Sequence, residues 1–303
     1  MHNFPAETIT PSLHELVKLQ AKVREIQHYK RKASPASLSG NLITKFKGQG
    51  LEFSQVRKYY RGDDIRSIDW RVTARTGTTH IKEFQIEKES EIAIISNVGP
   101  EMQFATFGKF KYILACELIS LLCFAAEYNK EKISTYFFGT NLKQIKAFKQ
   151  KNRKNITLEI LQFLTKTQPL KTQNLGNDLL GCLKEFNLVN KASGIAFIIC
   201  DFNEINNSII NEIQYIKRKK NIYLCHIFDN CEEYLPNIGS LSFCSFDGAN
   251  YDIDSSDKAA SKSYVEFFKK KTELLKELSK DPKINLINLP TNADPLKQLV
   301  NAF

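Results

Sequence analysis

Two spacings of hydrophobic residues alternate along the chain after residue 90. Short apolar runs, typical of buried strands, lie at Ile92–Ser96, Ile133–Phe138, Ile195–Cys200, Ile222–Phe228 and Ile284–Leu289. Segments with helical spacing lie between or after them, at 109–128, 156–165, 179–186, 206–219, 258–278 and 295–303. Strands that alternate with helices build a mostly parallel sheet with helices on both faces. The pattern predicts an α/β domain over residues 91–303, with one small hairpin at 240–253.

The N-terminal segment has signals for one helix followed by a loop. Thr10 offers a capping hydroxyl, and Pro11 suits the first helical turn. Apolar residues continue on one face as far as Ile26, and a serine-rich stretch follows from 32 to 47. We therefore predict an N-terminal helix and loop over residues 1–47.

Residues 48–90 mix charged residues with short apolar runs, which predicts a small β-rich insertion module before the first core strand. Because charges and apolar residues alternate closely, we expect about half of the charged side chains to point inward or along an interface. Buried charge is costly unless it is paired, and arginine forks facing carboxylates are the usual solution. We interpret the cluster as a structural ion-pair network, with partner binding or catalysis as the alternative, formed by Arg57, Asp63, Asp64, Arg66, Asp69, Trp70 and Arg75.

The chain of 303 residues carries a net charge of +10. Such charge is compatible with nucleic acid, an anionic membrane surface or an acidic protein partner. The two densest basic runs, Lys217–Lys220 and Lys269–Lys271, have the pattern of solvated helix segments. Binding of nucleic acid, or peripheral association with an anionic membrane, is therefore the less favoured alternative.

The seven cysteines contain no C-x-x-C pair, and most of them lie in apolar runs. Buried free cysteines of this kind are typical of a reducing compartment, which predicts a cytoplasmic protein. The most apolar run, Tyr112–Ala126, is interrupted by Glu117 and is short for a membrane span. We predict a buried helix there and no transmembrane segment.

Motifs of the common enzyme classes are absent from the sequence. It contains no G-x-x-x-x-G-K-[ST], no G-x-G-x-x-G after a strand and no G-x-S-x-G. The five histidines lack metal-ligand spacing, and His226, in an apolar strand, is interpreted as a hydrogen-bonded core residue. The sequence thus predicts a protein without catalytic activity.

Polar residues follow two of the predicted strands, at Asn97–Glu101 and at Asp201–Glu204, and Gly176–Asp178 precedes a helix. In an open α/β sheet, ligands bind beyond the carboxyl ends of the strands at a topological switch point. Oxygen ligands from such loops can hold Mg²⁺ or Ca²⁺. The alternative is that these side chains cap helices and turns.

The ionic module resembles the bacterial domain of unknown function fifty-eight family, whose fold is similar to the von Willebrand factor A domain. That family carries a pattern close to G-x-G-x-E-F, R-x-Y-x-x-G-D-D-x-R-x-I-D-W, T-A-R and K-x-F-x-x-E. The matching residues are Gly48, Gly50, Glu52, Phe53, Arg57, Tyr59, Gly62, Asp63, Asp64, Arg66, Ile68, Asp69, Trp70, Thr73, Ala74, Arg75, Lys82, Phe84 and Glu87. The resemblance is expected to cover nearly the whole chain.

The resemblance implies a Rossmann-like A-type domain and no enzymatic activity. It also implies a MoxR-type AAA+ ATPase or its client protein as partner, because family members are associated with these ATPases in the assembly or maturation of protein complexes. The chain is then a non-catalytic adaptor. A metal-assisted hydrolase that uses Asp63, Asp64 and Asp69 is the alternative from a different class.

A-type domains carry a D-x-S-x-S metal-adhesion motif after the first strand, and this sequence departs from it. The aligned positions are Asn97, Gly99 and Glu101, with Asn177 in place of the usual threonine and Asp201 as the retained acidic residue. Loss of the first aspartate and of both hydroxyls removes charge and oriented ligands. We expect a degenerate site without a tightly bound metal or other cofactor, with weak Mg²⁺ or Ca²⁺ binding as the alternative.

Overall fold

The computed structural model describes residues 11–33, 51–86, 90–139, 146–149, 155–167, 178–234, 236, 239–244 and 250–302. The predicted N-terminal helix is present as α1 (Leu13–Ala33). The ionic module follows as β1 (Leu51–Lys58), a 3-10 turn (Ile65–Ser67), α2 (Trp70–Thr76) and β2 (His80–Ile86). β1 and β2 pair antiparallel.

The main sheet has six strands, of which five are parallel and one edge strand is antiparallel. They are β3 (Ser90–Asn97), β4 (Lys132–Phe138), β5 (Lys146–Lys149), β6 (Ser193–Cys200), β7 (Lys220–Phe228) and, after the separate hairpin of β8 (Ser240–Cys244) and β9 (Asn250–Asp254), β10 (Ile284–Pro290). Their order across the sheet is β10-β7-β6-β3-β4-β5. The predicted mostly parallel sheet and the small hairpin are confirmed.

Helices cover both faces of the sheet. They are α3 (Lys111–Asn129), α4 (Ile156–Lys166), α5 (Leu179–Val189), α6 (Asn207–Lys217), α7 (Asn230–Glu233), α8 (Lys258–Leu278) and α9 (Pro295–Asn301). One apolar core joins α1, α3, α4 and α9 to the first face, and a second joins α5, α6 and α8 to the other. The mixed α/β architecture therefore rests on two cores, one on each side of the sheet.

Helix α3 is the central helix of the first core. Among the described helices, it alone is long and apolar enough to span a membrane by length and composition, and 72% of its most apolar window is buried within the fold. Glu117, which interrupts its apolar run, pairs with Lys109 at the edge of the core. The helix thus packs as a core helix, as the sequence predicts.

The module contains a helix where the sequence predicted only strands. Asp69 caps the N-terminus of α2 by accepting hydrogen bonds from the Arg71 and Val72 amides at 3.0 and 3.1 Å. Gly77 ends the helix with a φ of 71°, in the left-handed region that glycine adopts without strain. These two end signals override the strand preference of Trp70 and Val72. The predicted loop beyond residue 33, and the positions of Gly48, Gly50, Glu87, Gly176 and Asn177, lie outside the described residues.

Candidate functional site

The carboxyl ends of β3 and β6 form the topological switch point of the sheet. The two strands are neighbours, and the helices that follow them, α3 and α6, pack on opposite faces. This is where open α/β sheets leave a crevice for ligands. A cavity of about 260 Å³ opens there, lined by Asn97, Glu101, Phe138, Asp178, Leu179, Cys200, Asp201, Phe202, Asn203 and Glu204. The structure thus brings together three of the aligned metal-adhesion positions.

The loop after β3 satisfies its own polar groups. The side chain of Asn97 is buried, and its Oδ1 accepts a hydrogen bond from the Gly99 amide at 2.8 Å. Its Nδ2 donates to Glu101 Oε1, also at 2.8 Å. A Cβ on Gly99 would lie 2.7 Å from Glu101 Oε2, so glycine leaves room for this carboxylate to fold back. The Asn97 oxygen and one Glu101 oxygen are therefore engaged by donors of the protein itself.

Carboxyl groups from several loops gather around the cavity. Glu101 Oε2 is buried and has no hydrogen-bond partner, and burial raises the pKa of this carboxyl despite its bond to Asn97. Burial also raises the pKa of Glu204, and the nearby Asp178 and Glu101 carboxylates raise it further. Asp178 meanwhile caps α5 through the Gly181 amide at 2.6 Å. Acidic groups thus line the rim on both sides of the switch point.

Asp201, at the end of β6, is held by a lysine that sequence reasoning did not single out. Asp201 is 5% exposed, and its Oδ2 lies 3.4 Å from the Lys111 ammonium. The same oxygen accepts a hydrogen bond from Asn203 Nδ2 at 2.7 Å. Phe202 between them has a φ of 53°, a conformation costly for a large residue. The retained acidic position therefore already faces a buried positive charge.

Lys111 belongs to a wider buried network. Its ammonium also lies 2.9 Å from Glu232 Oε1, and Lys271 lies 3.7 Å from Glu232 Oε2. Lys271 donates a hydrogen bond to Asn203 Oδ1 at 2.7 Å. Burial acts to lower the pKa of Lys111, but the Asp201 and Glu232 carboxylates outweigh it and the pKa is raised. Lys111 is therefore positively charged at neutral pH, and it contacts Asp201, which lines the cavity.

Asp229, at the end of β7, connects Thr291 at the end of β10 and the loop before α3 to this network through hydrogen bonds. It follows β7, is fully buried, and accepts hydrogen bonds from the Thr106 amide at 2.9 Å and from the Thr291 hydroxyl at 2.7 Å. It also caps α7 in a capping box with Glu232. The sequence signal is the D-x-x-E spacing of Asp229 and Glu232 directly after a strand. This signal would have identified both residues before the structure was known.

His226 lies on β7 beside the lysine network. It is fully buried, as expected of a core histidine, and the polar groups that act on its ring include the Asn288 side chain and the Asp201 backbone. Its ring stacks on Phe228 at 4.9 Å and lies 5.9 Å from Phe268. Burial, together with the positive charge of Lys271, lowers the pKa of His226 to about 3. The imidazole is therefore neutral at physiological pH.

The ionic module contains one tight arginine fork. Arg57 donates to both carboxylate oxygens of Asp63, at 2.7 and 2.8 Å, and the Tyr60 amide donates to the same group at 2.8 Å. The hydrogen bonds from Arg57 and from the Tyr60 amide lower the pKa of Asp63 to about 2. The guanidinium also lies 5.7 Å from the centre of the Tyr60 ring. This fork is the part of the predicted network that the structure contains.

The other charges of the predicted network do not pair with one another. Asp64 caps the 3-10 turn through the Arg66 amide at 3.0 Å, and Asp69 caps α2 and lies 3.8 Å from Lys82. The side chains of Arg66 and Arg75 are exposed, and neither forms an ion pair with any described residue. Among the charged side chains of the predicted network, Arg57, Asp63 and Asp69 are partly buried, and Asp64, Arg66 and Arg75 are exposed. Trp70, at 68% exposure, also faces outward.

Two basic runs also differ from expectation. Lys220 begins β7 and is buried, with its ammonium 2.9 Å from Glu91 Oε2. Lys271 is buried in the network below the cavity. Each run therefore contributes one core lysine, because the strand and helix geometry turns one member of the run inward. The interpretation of both runs as wholly solvated is wrong.

No cluster with the composition of a metal site is present in the part of the chain that the structure describes. Within it, no three His, Cys, Asp or Glu side chains converge to hold an ion. The fifth aligned metal-adhesion position, Asn177, lies outside this part. What the geometry offers is a cavity lined by both carboxylates and apolar side chains, in which one lining carboxylate, Asp201, contacts the buried Lys111.

These features define a mixed α/β protein with a mostly parallel sheet and a cavity at its switch point. The family described as "Protein of unknown function DUF58" matches residues 55–273, and the chain belongs to this family. Uncharacterized proteins of Mycobacterium bovis and Mycobacterium tuberculosis are 23% identical over 226 residues, which cover 74% of this chain and 69% of theirs. Among solved structures, the conserved hypothetical protein BatB from Bacteroides thetaiotaomicron matches 70% of this chain and 95% of its own, at 12% identity and a TM-score of 0.43.

Proposed function

We propose that the protein is a non-catalytic interaction protein built on a von Willebrand factor A-like domain. Its partner is a MoxR-type AAA+ ATPase or a client of that ATPase, and its role is in the assembly or maturation of protein complexes. The ATPase partnership rests on the family resemblance. The open sheet with helices on both faces and the cavity at its switch point support the A-type assignment.

The observation that carries the proposal is the buried contact of Lys111 with Asp201. A metal-dependent A-type face needs a divalent cation next to the strand-end carboxylates. Here an ammonium group 3.4 Å from Asp201 Oδ2 supplies the positive charge from within the chain. An ion at this carboxylate would have to compete with a lysine whose pKa is raised by Asp201 and Glu232. The protein therefore binds its partner without a metal.

The hydrolase alternative has little support from the geometry. Asp63 is bound by Arg57, and with a pKa of about 2 it carries no proton to donate near neutral pH. Asp64 and Asp69 accept hydrogen bonds from backbone amides, as caps do. These carboxylates hold the module together rather than facing a substrate.

Two further points concern the surroundings of the protein. Lys220 and Lys271 are buried and each lies beside a carboxylate, so neither basic run forms a continuous exposed patch, which weakens the case for nucleic acid or anionic membranes. Cys116, Cys123, Cys182, Cys200 and Cys225 are free and buried. Five such thiols are compatible with the reducing cytoplasm, which we propose as the location.

The proposed function is tested by affinity purification of the tagged chain from its native cell, with ATP present, followed by mass spectrometry. We expect a MoxR-type ATPase in stoichiometric yield, and we expect the complex to persist in EDTA once nucleotide is washed out. Recovery of nucleic acid or lipid without the ATPase would reject the adaptor function. A complex that dissociates in EDTA and reforms with Mg²⁺ alone would reject the metal-independent part.

A further inference from the structure

The outer side of the ionic module displays large apolar side chains to solvent. Ile65 is 65% exposed and Trp70 is 68% exposed, and they are separated by four residues. Trp70 is the single tryptophan of the chain. Tryptophan dominates binding energy at protein interfaces and is costly to leave in water. Its position indicates that this surface is covered in a complex.

The geometry of α2 places two arginines beside this tryptophan. Val72 and Thr73 are half-buried, and the Thr73 hydroxyl accepts a hydrogen bond from the His80 amide of β2 at 3.0 Å. The outward side of the helix therefore consists of Trp70, Arg71 and the residues one turn later, which include Arg75. Residues four apart lie next to each other on a helix. Arg71 and Arg75 thus form one short basic stripe next to the indole.

Several arginines of the module have no carboxylate beside them among the side chains that the structure describes. The three module carboxylates with described side chains accept hydrogen bonds within the module: Asp63 from Arg57, Asp64 from the Arg66 amide, and Asp69 from the first amides of α2. The guanidinium groups at the surface have no such partner. Those that are exposed and form no ion pair within the described residues are Arg61, Arg66, Arg71 and Arg75. The guanidinium groups of these arginines are planar and can each bind a carboxylate through two hydrogen bonds.

We propose that this arginine–tryptophan surface, formed by Ile65, Arg66, Trp70, Arg71 and Arg75, binds a carboxylate-rich segment of a protein partner. The inference deepens the proposed function, on which it rests, by assigning the contact surface and the chemistry of what it binds. Asp and Glu side chains of the partner pair with the guanidinium groups, and an apolar side chain covers the indole and Ile65. A protein segment fits better than nucleic acid because the exposed aliphatic side chain of Ile65 adjoins the arginines and suits an apolar side chain of a peptide.

A titration of the full chain with synthetic peptides tests the surface directly, because Trp70 is the sole tryptophan and reports binding by its fluorescence. The probe is a peptide of Glu, Asp and Leu residues, and its control has Gln and Asn in place of the acids. We expect the acidic peptide to shift the Trp70 emission and to bind at least about tenfold more tightly than the control. Equal affinities, or tighter binding of a single-stranded oligonucleotide, would overturn the proposal.

A charge-matched pair of variants locates the site. Arg71→Glu/Arg75→Glu reverses the stripe, and Lys269→Glu/Lys270→Glu makes the same charge change at exposed positions of α8. Only the first is expected to abolish binding of the acidic peptide. Thermal melts check folding, and Arg71→Gln/Arg75→Gln replaces the first variant if that protein melts early. Equal loss in both variants would show that net charge, and not this surface, is responsible.

The same variants, tagged in the native cell, separate this inference from the proposed function. If wild-type and Lys269→Glu/Lys270→Glu retain the ATPase and Arg71→Glu/Arg75→Glu loses it, the surface is supported. If all three retain it, the adaptor function stands and the assigned surface is wrong. If wild-type retains none, the proposed function fails, and the peptide titration alone decides whether the surface binds carboxylates.

Discussion

The ammonium group of Lys111, in the first turn of α3, lies 3.4 Å from the Asp201 carboxylate at the end of β6. Both side chains are more than nine-tenths buried, so each charge depends on the other for its stability in the fold. The contact joins the two halves of the sheet across the switch point. It explains how loops that lack a metal-adhesion motif still keep a defined arrangement.

Removal of the lysine is expected to be costly. Lys111→Met leaves the buried Asp201 carboxylate without its ion-pair partner and Glu232 with Lys271 alone, which should destabilise the protein by about 3–5 kcal/mol. Urea unfolding followed by circular dichroism measures the change. Lys269→Met, at an exposed position of α8, is the matched control and should stay within about 0.5 kcal/mol of wild-type. An unfolding midpoint of Lys111→Met equal to that of the control would contradict the buried pair.

The contact between Lys111 and Asp201 should also make metal binding weak. Wild-type protein is expected to bind Mg²⁺ at millimolar concentration or more weakly. Lys111 competes with the ion for Asp201, and the side-chain oxygens of Asn97 and Glu101 already accept hydrogen bonds within the loop after β3. Lys111→Met should bind more tightly than wild-type if it remains folded. Isothermal titration calorimetry compares the two proteins. Micromolar binding by wild-type that disappears in Asp201→Ala would show that the metal site is intact.

Within the ionic module, substitutions of Asp69 and of Arg66 are expected to differ in their effect on stability. Asp69→Ala removes the cap of α2 and should lower the melting temperature. Arg66→Ala changes an exposed side chain and should alter stability by no more than about 0.5 kcal/mol. Differential scanning calorimetry of the two variants measures both effects. Equal and large losses of stability in the two variants would support the buried ion-pair network that the sequence predicted.

The neutral, buried His226 should make the protein sensitive to mild acid. Its pKa is lowered to about 3 in the fold, below that of an unfolded histidine, so the unfolded state binds more protons between pH 6.5 and pH 3. Stability should fall with decreasing pH over this window, by up to about 1.4 kcal/mol per pH unit.

Comparison with His226→Phe, which fits among the surrounding aromatic rings, isolates this effect from that of the carboxyl groups. Urea midpoints of the two proteins at pH 7 and pH 5 provide the measurement. The variant is expected to lose less stability than wild-type between these values. Parallel losses would show that His226 is not the group responsible, and that carboxyl groups cause the pH dependence.

The elements of the α/β domain were predictable because their signal is local. Each core strand is a short apolar run, and α8 occupies the predicted range of Lys258–Leu278. α2 was missed because Trp70 and Val72 favour strands, while the deciding signals are single residues at its two ends, Asp69 and Gly77.

The candidate site was predictable only in part, because its partners are distant in sequence. Lys111 is separated by 90 residues from Asp201 and by 121 from Glu232, so no spacing in the sequence reveals the contact. The strand ends at Asn97 and Asp201 were identified because parallel strands place their carboxyl ends at one edge. The buried lysines of the basic runs were missed because a run of like residues does not indicate which member points inward.

The burial of α3 has a consequence for how the chain is made. This helix leaves the ribosome before β6, β7 and β10, which carry apolar residues that cover it. Until those strands are synthesised, an apolar segment with the length and composition of a membrane anchor has only part of its cover, from earlier elements such as α1 and β3. Nascent chains halted after residue 130 should therefore engage cellular factors that bind hydrophobic segments, and release them once the sheet is complete.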